Sequence, residues 1–178
     1  MKDGHNIDLL PEIKLIQEAR AGNKESFCKL YGLYKDKLYR YALYRLGNPA
    51  DAEDAVSECV LAAWKGIRSL KSDGAFSSWI FRILHNICAG MLRKEISSRE
   101  GLETAGNELD TAGEANVQTS VEIAEALATL KDDEREIVLL SVISGLTSRE
   151  ISEATGLTSG AVRSKLSRSL TKLRAVLS

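Results

Sequence analysis

The 178-residue chain is 44% hydrophobic and 28% charged, with 24 Lys and Arg against 25 Asp and Glu. That apolar fraction excludes wholesale disorder, and the length admits one ordinary domain or two small ones. The longest apolar-rich run, Ile137 to Leu146, is too short and interrupted to cross a bilayer. No basic-then-apolar signal peptide opens the sequence, and a cytoplasmic protein is expected. Cys28, Cys59 and Cys88 are odd in number and widely spaced, which leaves no disulfide framework and no metal knuckle. They, His5 and the isolated His85 read as structural or incidental, and no phosphate-cradling, nucleophile-elbow or zinc-protease motif occurs. Neither an enzyme nor a metal or cofactor is expected.

The near-zero net charge hides an asymmetry. Residues 1–94 carry 15 basic and 11 acidic side chains, whereas 95–119 carry one basic and six acidic. Residues 159–178 hold five basic groups and no acid, and all ten aromatics lie between Phe27 and Phe81. Two dissimilar modules joined by an acidic segment account for this distribution.

Only two prolines interrupt the chain, and helix signals fill it. Pro11 suits the first turn of a helix ending at Gly22. A second begins near Lys24, spaces Phe27, Leu30, Tyr31, Tyr34, Leu38 and Ala42 at helical intervals, and stops at Gly47. A third starts near Asp51, with Ala52, Val56, Cys59 or Val60, Ala63 and Ile67 inward. A fourth spans about Ala75 to Lys94, offering Trp79, Ile80, Ile83, Ile87, Met91 and Leu92 to a core. From Ile96 to Thr119 the pattern fails in a Gly-, Ser-, Thr- and acid-rich run, read as a flexible linker. Beyond Ser120, short helices are expected over Val121–Leu130, Asp132–Ser144 (Ile137, Leu140 and Val142 or Ile143 inward) and Ser148–Thr155. A cap at Thr147 or Ser148 would open the last of these. After the turn Gly156-Leu157-Thr158, a final helix runs from Ser159 to about Leu177.

A short helix, a glycine turn and a longer basic helix form helix-turn-helix grammar. Val162, Leu166, Leu170, Leu173 and Leu177 make an apolar stripe, while Arg163, Lys165, Arg168, Lys172 and Arg174 fill the other faces. Cationic arms on a packed helix suit phosphates and base edges, although a solvated amphipathic helix shares the pattern. Asp51, Asp54 and Glu58 lie along one helix face, where they repel phosphate and suit a basic protein surface or water. Phe76 to Lys94 joins aromatics to Arg82, Asn86, Arg93 and Lys94, the combination that stacks unpaired bases and holds a strand, or simply a core helix with a basic end.

Four motifs in register sharpen these readings. Phe27-x-x-Leu30-Tyr31-x-x-Tyr34, Asp51-Ala52-Glu53-Asp54, Trp79-x-x-Arg82-Ile83-x-x-Asn86 and the helix-turn-helix together resemble an extracytoplasmic-function sigma factor of the bacterial sigma-70 family. The resemblance covers nearly the whole chain. It implies an all-α protein with a region 2-like domain over 11–95, an acidic linker over 96–119 and a region 4-like domain over 120–178. It implies that Asp51, Glu53, Asp54 and Glu58 meet the clamp helices of the largest subunit of core RNA polymerase. It places Trp79, Arg82, Asn86, Arg93 and Lys94 on the −10 promoter element, and Ser159, Arg163, Lys165, Arg168 and Lys172 on the −35 element. The partners it implies are core polymerase, promoter DNA and an anti-sigma factor, with a monomer when free. Ser57, His85, Gly90 and Ser152 depart from the Gln, Arg, Asp and Ala usual in that family. The rival reading is an autonomous helix-turn-helix regulator with an N-terminal dimerisation or sensory domain.

Overall fold

The computed structural model describes residues 9–99 and 117–178, and every regular element among them is helical. In chain order these are α1 (Leu9–Arg20), α2 (Lys24–Leu46), α3 (Pro49–Gly66), α4 (Phe76–Arg99), α5 (Val117–Ala128), α6 (Asp132–Val142), α7 (Ser148–Thr155) and α8 (Ser159–Leu177). Two short 3-10 turns, Ile67–Ser69 and Asp73–Ala75, join α3 to α4. No described helix is long and apolar enough to cross a membrane. Residues 100–116, the greater part of the expected linker, lie outside the described residues.

Local chemistry sets the boundaries. Asn23 and Asn48 cap α2 and α3 by accepting the backbone N–H of Ser26 and Asp51, each at 3.1 Å. Gly47, with φ of 75°, closes α2 in the left-handed conformation that a side chain resists. Pro49 occupies the first turn of α3, and so serves as much to start that helix as to end the one before. Helix α4 runs five residues beyond Lys94. The Ser98 hydroxyl donates to the Lys94 carbonyl, and Arg99 pairs with Glu95 one turn back at 2.5 Å.

Helices α1 to α4 form the first domain. The α3 stripe is as expected, with Ala52, Val56, Cys59, Ala63 and Ile67 all buried, and of the open pair it is Cys59 that is buried fully. On α4 the buried face is rotated from the expected one: Phe76, Ile80, Phe81, Leu84 and Cys88 are inside, and Trp79, Ile83 and Ile87 are half-buried. Several apolar residues per turn make more than one stripe eligible, and packing against α2 selects one. Tyr34 meets Phe76 edge-on at 5.2 Å, and Tyr41 meets Phe81 at 6.2 Å.

Helices α5 to α8 form the second domain around Leu130, Ile137, Leu140, Ile151 and Val162. Of the open pair on α6, Ile143 turns partly inward and Val142 is exposed. Thr147 is the cap of α7, and its own backbone N–H donates to the Glu150 carboxylate at 2.8 Å. Gly156 turns the chain with φ of 78°, and Ser152 then donates its hydroxyl to the Leu157 carbonyl at 2.5 Å. The departure at Ser152 therefore staples the turn.

Candidate nucleic-acid interface

On α8, Thr158 caps the N-terminus, Val162 is fully buried, and Ser169 is buried with its hydroxyl on the Lys165 carbonyl. The five expected −35 residues then separate by face. Arg163 and Arg168 are exposed and have no ion pair among the described residues, and Ser159 is half-exposed near the start. Ser164, Ser167 and Thr171 lie on the exposed arc between the two arginines. Lys165 and Lys172, one full heptad apart, turn the other way onto α6. Lys165 pairs with Asp133, and Lys172 pairs with Glu134 at 2.7 Å. The Lys165 hydrogen bond holds the Asp133 carboxyl below its ordinary range, and Lys172 does the same for Glu134. These partners sit more than thirty residues away in sequence, so no pattern within α8 could have found them.

The expected apolar stripe of α8 is buried only at its start. Leu170 and Leu173 are half-buried and Leu177 is exposed, lining with Ile123, Leu139 and Tyr44 an open groove of about 760 Å³. Helix α8 has 19 residues and α6 has 11, so α8 outruns its neighbour by roughly 12 Å at 1.5 Å per residue.

On α4, Trp79, Arg82, Asn86 and Arg93 share a face at helical spacing, with Lys94 beside them. The four polar residues are exposed. Phe76 and Phe81 are buried in the core and present no ring to a base. Trp79 is half-buried, its ring 5.9 Å from that of Phe76 and lying over Gly66. Gly90 has nothing near a would-be Cβ except the Arg93 guanidinium at 3.9 Å. Arg82 is held by the second domain, donating to the Glu153 carbonyl of α7 at 3.1 Å.

On α3, Asp54 points away from the core, Glu58 and Asp51 lie toward one edge of that outward face, and Glu53 lies toward the other. None of the four has an ion pair among the described residues. Leu61, 61% exposed, continues the same outward face and was not legible as a surface residue in the sequence. Ser57 is exposed beside it.

Two family models match, sigma-70 region 2 over residues 30–96 and sigma-70 region 4 over residues 120–173. This chain belongs to the sigma-70 family, in its extracytoplasmic-function group. The sigma factor BldN of Streptomyces coelicolor is 31% identical to it, over 93% of this chain and 65% of BldN. SigW of Bacillus subtilis is 28% identical, over 92% of this chain and 95% of SigW. The structure of the sigma factor RpoE of Bartonella quintana in complex with the anti-sigma factor NepR superposes with a TM-score of 0.72. That match has 25% identity and covers 86% of this chain and 97% of RpoE. As a sigma factor the chain directs RNA polymerase to promoters, and the rival reading as an autonomous regulator is not favoured.

Proposed function

We propose that this sigma factor divides promoter-directed initiation among three surfaces and performs no bond chemistry itself, working in the cytoplasm with the polymerase. The outward face of α3, with Asp54 and Leu61 central and Asp51, Glu58 and Glu53 flanking, docks on the clamp helices of the largest core subunit. Carboxylates without an ion pair among the described residues, set around an exposed leucine, fit a basic, partly apolar protein surface and repel DNA. The α4 face of Trp79, Arg82, Asn86, Arg93 and Lys94 holds the opened −10 strand. Only Trp79 supplies a ring there, so cationic and amide contacts dominate.

The exposed arc of α8, bounded by Arg163 and Arg168 and entered at Ser159, reads the −35 element. Ser164 and Ser167 lie between them as short hydrogen-bonding contacts. Lys165 and Lys172 reach DNA only if they leave α6. The groove beside Leu170 and Leu173, rimmed by Arg40 and Arg174, suits an acidic amphipathic helix of an anti-sigma factor, the class of partner bound to RpoE.

The observation that carries this reading is the pair of exposed arginines, without an ion pair among the described residues, on the helix that follows the Gly156 turn. Its test is run-off transcription by core polymerase from DNA upstream of the gene. Wild-type protein should retain core polymerase and give a defined transcript. Arg163→Ala or Arg168→Ala should retain core binding and lose about 1–3 kcal/mol of promoter affinity. Reversal of Asp54 and Glu58 to Lys should abolish core retention. No core binding by folded wild-type protein would reject the assignment.

A further inference from the structure

Between α2, α4, α5 and α6 lies a cavity of about 330 Å³ that no role above uses. Three arginines line it: Arg45 at the end of α2, Arg99 at the end of α4, and Arg135 of α6. The two carboxylates that line it with them are already engaged. Glu95 pairs with Arg99 at 2.5 Å, and Asp132 accepts two hydrogen bonds from Arg45, at 2.6 and 3.1 Å. Glu136 lies 4.0 Å from Arg45, but it turns to Nδ1 of His85 at 2.7 Å and does not line the cavity. Arg135 has no ion pair among the described residues, and its Nε and Nη2 donate to the carbonyls of Leu127 and Leu130 at 3.1 and 3.3 Å. The lining therefore carries one cation more than its carboxylates balance.

The donors left over ask for an acceptor. Arg45 is 5% exposed, and its Nε has no hydrogen-bond partner among the described residues. A buried N–H without an acceptor is unfavourable, and most such groups in folded proteins find one. Nη1 of Arg135, and Nε and Nη1 of Arg99, also bond nothing among the described residues. A carboxylate offers two oxygens to such a set, whereas a phosphate monoester offers three and a charge of about −1.5 to −2. Planar guanidinium forks match that geometry. The rest of the wall is apolar, with Leu43, Leu92 and Leu127, and Tyr44 supplies the one aromatic ring among the lining residues. The volume is at the small end of the roughly 300–1,000 Å³ usual for small-molecule sites, which suits one nucleotide rather than a chain of them.

We propose that this cavity binds a nucleoside monophosphate, with its phosphate on Arg45, Arg99 and Arg135 and its base against Tyr44 and the leucines. Arg45 and Arg99 belong to the first domain and Arg135 to the second. A bound nucleotide therefore favours the arrangement in which the domains meet, by its differential affinity for it. The site does not depend on the surfaces assigned above to polymerase and promoter DNA.

The test is isothermal titration calorimetry of the full chain at low salt with AMP, GMP, CMP and UMP, with the four nucleosides and inorganic phosphate beside them. At least one nucleotide should bind one-to-one, and its nucleoside and inorganic phosphate at least about tenfold more weakly. Arg99→Gln and Arg135→Gln should each weaken the nucleotide at least about tenfold. Arg149→Gln, an exposed arginine of α7 outside the cavity, should leave binding unchanged. Arg99 is exposed, so its substitution leaves the core intact, and far-UV circular dichroism verifies the fold of each variant. Arg135→Lys, which keeps the charge and loses the fork, serves if Arg135→Gln does not fold. No binding by any of the four nucleotides at millimolar concentration would overturn the proposal. So would inorganic phosphate binding as tightly as the nucleotide, folded Arg99 and Arg135 variants that bind like the wild type, or an equal loss in Arg149→Gln. No polymerase enters the titration, so its failure leaves the proposed function standing.

Discussion

Gly90 sits mid-helix in α4, and the one described atom near a would-be Cβ is in the Arg93 guanidinium, at an ordinary 3.9 Å. Nothing among the described residues demands a glycine there, and Gly90→Ala should raise the free energy of unfolding by about 0.5–1 kcal/mol, measured in urea. A stabilised variant with impaired promoter opening would mean the glycine makes room for DNA. The cysteines separate by environment. Burial, first of all, pushes the Cys59 and Cys88 thiols up to about 12, and Cys59 donates to the Ile80 carbonyl. Cys28 is exposed. Maleimide should therefore modify one cysteine in native protein and all three in denaturant, counted by mass spectrometry. The sequence showed these thiols to be unsuited to a metal knuckle, but exposure, which sets their reactivity, came only from packing. His85 makes the same point more strongly: it looked incidental in an apolar stretch and proves to be one member of a network spanning both domains.

The helices themselves were largely legible. Asn, Thr and Gly at the ends of α2, α3, α7 and α8 act through hydrogen bonds three or four residues long, so sequence neighbours contain the whole mechanism. Faces were less legible. The cations of α8 look equivalent in sequence, yet Lys165 and Lys172 clamp α6 while Arg163 and Arg168 face outward. That clamp makes the second domain acid-sensitive. Asp133 and Glu134 have folded pKa values depressed below their ordinary 3.8 and 4.5, chiefly by hydrogen bonds from Lys165 and Lys172. Depressed carboxylates contribute stability that is fully present above the unfolded values and is lost as pH falls through the folded ones. Thermal unfolding should show Asp133→Asn with Glu134→Gln less stable than wild type at pH 6, with the difference shrinking below about pH 4. An undiminished difference at low pH would assign the loss to packing.

For the whole molecule, one apolar core runs from Ile16 through the α2–α4 helices to Leu130, Leu139 and Val162, so the domains share buried surface as well as the Arg45 pair. Wild-type protein should then unfold in one calorimetric transition at low salt, and Asp132→Lys should divide it into two as the domains lose their coupling. Two transitions in the wild type would mean that the shared surface is too weak to couple them. The all-helical class and the helix-turn-helix were set by the sequence alone, because they depend on local spacing, caps and turns. The tertiary structure decided which face of α4 is buried, which α8 cations remain available, and that Arg45 meets Asp132 across 87 positions of chain. Such choices depend on where distant helices come to rest, and a buried charge finds its partner only after the surrounding apolar surfaces have closed.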